Sequence, residues 1–148
     1  MSGAGNGGDG AILSPILALR AAVHAALAAD APLAAMLGGA RIYDAAPRGV
    51  AGLYVVFDGA VARDRSAGAL RREGHEFGLT IWSRPGGPRP ALEAATRIRT
   101  LLDDADLPLT GHRLALLRVT REDVRRDPHS GLSQVRLMLA AITENQAP

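Results

Sequence analysis

The chain lacks both cysteine and lysine, and its 148 residues include only five Phe, Tyr and Trp side chains. Without cysteine there are no disulfides, thiolate nucleophiles, thiolate zinc sites or iron–sulfur clusters. Without lysine there is no Schiff-base lysine, no pyridoxal phosphate attachment and no Walker A lysine. No apolar run approaches the roughly 18–20 residues that span a bilayer, so no membrane partner is expected. The opening MSGAGNGGDG has no positive region ahead of an apolar stretch, which argues against a secretory signal. An excess of one charge is missing too. The 17 basic residues, all arginine, face 15 acidic ones for a formal charge of +2. Their signs are interleaved, whereas a nucleic-acid binder concentrates its positive charge on one face.

What is present suits one domain. Residues 1–12 form a Gly-rich lead that is expected to be disordered, and a single domain is expected over 13–145. Ser14-Pro15 reads as an N-cap and first helical position. Ile16, Leu19, Val23 and Leu27 follow at helical spacing as far as about Ala29. Asp30 caps a shorter helical stretch, and Gly38-Gly39 ends it.

The period then shortens. Arg41–Tyr43 and Leu53–Phe57 read as strands, and His75–Ser83 alternates with Phe77, Leu79 and Ile81 on one face and Trp82 on the other. Between the last two lies Gly59–Gly74, expected as a flexible loop carrying Arg63, Arg65, Arg71 and Arg72. After the Arg84–Pro88 breaker, Leu92, Ala95, Ile98, Leu101 and Leu102 mark a second main helix, with Glu93 and Arg97 spaced to pair on its outer face. Strands are expected over about 113–121 and 132–143, with a polar connection between. The order α-β-β-β-α-β-β predicts an α+β domain, a mostly antiparallel sheet of four to five strands against two main helices.

Reactive residues form no convincing constellation. The histidines (His24, His75, His112 and His129) lack metal-ligand spacing. Asp127-Pro128-His129-Ser130 names the members of a hydrolase triad, but neighbours in one turn cannot adopt triad geometry. Asp103, Asp104 and Asp106 read as a solvated helix end, whose charge an arginine from a neighbouring loop or subunit would offset. No catalytic, cofactor-binding or metal residue is therefore assigned. The assembly-interface candidates are Arg63, Arg65, Arg71, Arg72 and Trp82, the last because tryptophan is enriched at interface centres.

The ordered segments LAADAPLAAMLGGARIYDAAP, GLYVVF, GHEFGLTIWSRPGG, LLDDADLPLTGHRLALLRV and RRDPHSGLSQVRLMLAAITE resemble the tail-completion, or tail terminator, family of siphophage-like phages, prophages and gene transfer agents. The resemblance runs from about Leu19 to Glu144. It implies a tail terminator-like fold and a virion structural protein with no enzyme activity and no cofactor. It further implies a homo-oligomeric ring, a hexamer, that caps the tail tube and meets a head–tail connector or stopper protein. DNA would meet it only in transit through the lumen. Its implied place is the head–tail junction, reached from the bacterial cytoplasm during assembly. Two other classes remain open from the residues alone: a small Arg-dependent nucleic-acid-binding module, and a hydrolase with a triad gathered across the sheet.

Overall fold

The computed structural model describes residues 14–145; the Gly-rich lead lies outside them. Ser14 caps helix α1 (Pro15–Ala28), its hydroxyl accepting from Leu17 N–H. Asp30 does the same for α2 (Ala31–Leu37), which ends on Gly38 in the left-handed conformation. The two helices meet at 81°. Strand β1 (Ile42–Tyr43) follows, then β2 (Tyr54–Asp64), β3 (Arg72–Trp82), helix α3 (Arg89–Leu102), β4 (His112–Arg126) and β5 (Ser133–Asn145).

The strands form one sheet in the order β1-β2-β3-β5-β4, with β1 parallel to β2 and every other pair antiparallel. The expected α+β architecture is the observed one. Val55, Phe57, Leu79, Ile81, Val135, Leu137 and Leu139 face the helices, where they join Leu19, Val23, Leu27, Leu33, Ala94 and Ile98 in one core. No single helix among the described residues is long and apolar enough to cross a membrane.

The strands outrun their expected limits. Gly59–Asp64 and Arg72–Gly74 are strand, so the connection expected over 59–74 shrinks to 65–71. β4 likewise continues to Arg126, through residues expected as a polar connection. In both hairpins these distal halves are largely exposed, so they lose the apolar–polar alternation by which a half-buried strand is recognised. Backbone pairing holds them instead: Arg63 opposes Gly74, and Arg125 opposes Gln134.

One expected contact is replaced. Arg97 does not pair with Glu93. It turns toward α2 and grips the Asp30 carboxylate at two points, Nε–Oδ2 2.9 Å and Nη2–Oδ1 2.7 Å. Glu93 reaches back instead to Arg89, at 3.5 Å. A planar guanidinium matches a carboxylate bidentately, which a loose exposed pair does not.

Candidate assembly surface

The sheet face away from the helices carries its own architecture. At its middle, Asp58 Oδ2 lies 2.9 Å from Arg136 Nε and accepts from Thr80 Oγ1 at 3.2 Å. This cluster closes over Gly78, where an added Cβ would stand 2.9 Å from the Asp58 carbonyl oxygen and 3.3 Å from both Arg136 Nε and Met138 Sδ. The missing side chain is what lets polar groups lie flat on the strand.

Toward the tip of the β2–β3 hairpin the surface changes character. A shallow groove crosses the sheet there, lined by Val61, Arg63, Arg65, Gly74, Glu76, Leu116, Ala140 and Ile142. Val61 is 49% exposed and Leu116 38%, and the two share this one groove. Arg65 lies across Gly74, so that a Cβ on residue 74 would come within 3.0 Å of its Nε. The Arg63 and Arg65 side chains make no hydrogen bond or ion pair with any described residue.

The far edge of the sheet is finished differently. The C-terminal end of α3 docks on β4: Asp104 N–H donates to Leu117 O at 2.9 Å, and Asp103 Oδ1 accepts from Val119 N–H at 2.9 Å. Asp104 takes a positive φ of 60° to do so. Arg118 Nε stands 3.9 Å from Asp103 and 3.8 Å from Asp104, so an arginine does face this acidic cluster, but it comes from strand β4 of the same chain rather than from a loop or another subunit. The Asp103 carboxylate and the Asp104 backbone thus cap the edge, while the Asp104 and Asp106 side chains remain solvated as expected.

The family model for tail completion protein gp17 matches residues 21–144. The chain belongs to the tail-completion family. A solved chain from the "Virion of native gene transfer agent (GTA) particle" is 32% identical, with a TM-score of 0.82 over 90% of this chain and 100% of that one. Among curated proteins none matches. Membership in a tail-completion family of phage-like particles is what the segment order implied, and it makes the chain a structural component of such particles.

In this tail-completion protein the five sequence candidates do not share one patch. Arg63 and Arg65 meet in the groove. Arg71 lies in the turn, its backbone bonded twice by Asn145: its N–H donates to the side-chain Asn145 Oδ1 at 3.0 Å, and Asn145 N–H donates to Arg71 O at 3.0 Å. Arg72 Nε is 3.1 Å from Glu144 Oε2, a charge contact not aligned as a hydrogen bond, and Arg113 takes the other oxygen at 2.6 Å. Trp82 is half-buried at the opposite end of β3, roughly 30 Å from Arg72 at about 3.3 Å per residue. Val61 and Leu116 escaped the sequence reading. Their signal, an apolar residue on the face turned from the helices, needs the register to be seen.

The reactive residues occupy structural posts. Asp127 Oδ2 accepts from the Ser130 N–H (2.8 Å) and hydroxyl (2.7 Å), which holds the β4–β5 turn and keeps the Asp127 carboxyl below its usual range. His75 is buried on the helix side of β3, 2.9 Å from Thr143 Oγ1. Burial pushes its imidazole below the ordinary value, Glu73 opposes that shift and His112 adds to it. Among the described residues no three His, Asp or Glu side chains gather as a metal site.

Proposed function

We propose that the chain is a tail terminator: a closed ring of six copies that caps the tail tube, ends its polymerisation and joins it to the head connector. The observation that carries this reading is the family match across residues 21–144 on a sheet with helices on one face only. The open face and the two sheet edges supply surfaces for like subunits, the tube and the connector. Identical subunits that meet head to tail close into a ring when the rotation between them closes. The role is one of shape and adhesion, with no covalent chemistry assigned to any side chain.

The arginine pattern supports a protein partner over nucleic acid. Among the described residues nine arginines are paired with carboxylates, including Arg20–Asp44, Arg99–Glu122 and Arg136–Asp58. Such pairing takes about half of the arginines out of reach of phosphates, the contact that supplies much of the affinity for nucleic acid. Deleting the gene in a particle-producing host tests the proposal. The expected result is separate heads and tails, with tails of uncontrolled length seen by electron microscopy. Joined particles with tails of normal length would contradict it.

A further inference from the structure

The two edges of the sheet are complementary, and they lie at the same height. Among the described residues β1 covers β2 only at Val55 and Val56, so residues 57–64 pair on one side alone, with β3. That free edge carries exposed Ala60, Val61 and Ala62, with Arg63 and then Arg65 at its end. An unblocked edge of small and apolar residues is a template for contact with another chain. The opposite edge is closed to strand pairing at Leu117–Val119 by Asp103 and Asp104 and presents carboxylates instead. The Asp104 side chain is 75% exposed, and Asp106 is exposed beside it.

Register links the two. Arg63 opposes Gly74, Gly74 opposes Ile142, and Ile142 opposes Leu116, the residue before the one that holds Asp104. A straight line across the sheet therefore runs from the arginines to the aspartates. Edges at one height let successive copies related by a rotation along the strands meet without translation, which gives a ring where that rotation closes; an offset would wind a filament.

We infer that the free edge of β2 in one subunit docks against the 103–106 corner of the next, Arg63 and Arg65 meeting Asp104 and Asp106. The inference rests on the ring reading above and names its interface. Arg118 already stands near Asp103 and Asp104, yet three aspartates against one arginine leave the corner negative. Arg113 is engaged by Glu144. Glu76 faces the groove beside Val61, and exposed Asp64 stands between the two arginines under the influence of Arg71, so the positive balance of that side, Arg63, Arg65 and Arg71 against two carboxylates, is lost without Arg63 and Arg65. Exposed Val61 and Leu116, one near each edge, add apolar contact. Complementary charge of this kind sets register and excludes wrong partners.

Two exposed-surface variants test it, each mixed with purified tail-tube subunit and weighed by light scattering. Arg63→Glu with Arg65→Glu reverses the basic edge. Asp104→Asn with Asp106→Arg reverses the acidic corner, asparagine being tolerated at the positive φ of residue 104. Circular dichroism melts close to wild type establish that both variants fold. Each variant alone should assemble at least tenfold more weakly than wild type. Mixed in equal amounts they should recover the ring with three copies of each, since every junction in an alternating ring is again opposite in charge. Normal rings from either variant alone, or no recovery in the mixture, would overturn the interface while leaving the ring intact. A wild-type chain that stays monomeric beside the tube subunit would overturn the ring reading itself.

Discussion

Arg97 in α3 holds Asp30, the N-cap of α2, with both ends of its guanidinium at 2.9 and 2.7 Å. The same carboxylate accepts from Leu33 N–H at 3.0 Å, so one side chain starts a helix and ties it to another. The Arg97 hydrogen bonds hold the Asp30 carboxyl below its usual range. A carboxyl depressed in the folded state contributes stability that is complete above the unfolded value, near 4, and is lost as pH falls through the folded one. Asp30→Asn should keep a helix cap, lose the charge, and flatten the acid limb of stability below about pH 4. Asp30→Ala should melt lower still. Urea titrations at pH 3 to 7 check both, and equal melting of all three chains would contradict the assigned role.

His75 provides the second pH signature. Its folded value lies under the ordinary 6.5, with burial the largest cause. Between those two values the unfolded chain binds a proton that the folded chain does not, so stability falls as pH drops through that window. An NMR titration of the His75 ring should give a midpoint below about 6.5. A midpoint above it would mean that the Thr143 contact and Glu73 outweigh burial.

Packing separates core from surface. Leu137 is fully buried, and Leu137→Ala should cost about 2–5 kcal/mol of unfolding free energy. Val61 is half-exposed, and Val61→Ser should stay within about 0.5 kcal/mol of wild type in denaturation. The same Val61→Ser change should weaken assembly severalfold. An unfolding cost for Val61→Ser as large as that for Leu137→Ala would place Val61 in a core that the structure does not give it.

Two glycines on the open face behave differently under the same substitution. At Gly78 the added methyl meets the Asp58 backbone oxygen at 2.9 Å, which cannot swing away, so Gly78→Ala should destabilise by about 1–3 kcal/mol. At Gly74 it meets the flexible Arg65 side chain at 3.0 Å, and Gly74→Ala should leave the melting temperature within a few degrees. Denaturant melts of both variants check the contrast. Equal costs would show that Arg65 does not lie freely across Gly74.

Part of this was legible in the sequence. The apolar spacing of Ala95, Ile98 and Leu102 fixes α3, and the Ser14 and Asp30 caps open their helices as expected. The distal halves of β2 and β4 were not legible, because Gly59–Asp64 and Glu122–Arg126 lie largely exposed and no burial imprints a period on them. The register shifts at Gly59, Ala115 and Thr120 were equally silent, and they decide which side chains share a face. Arg63, without a side-chain partner among the described residues, and the ion-paired Arg72 look alike in sequence. Only the neighbour across the strand, Gly74 for one and Glu144 for the other, tells them apart.

Light scattering of the wild-type chain with its tail-tube subunit, at about 50 and about 500 mM salt, tests the assembly role most directly. The expected result is a complex containing six copies of the 15.4 kDa chain at both concentrations, formed more weakly at the higher one as the exposed Arg–Asp contacts are screened, because apolar contact persists where phosphate binding fades. A chain that remains single beside the tube, or that instead binds a DNA oligonucleotide with an affinity collapsing over the same salt range, would contradict it.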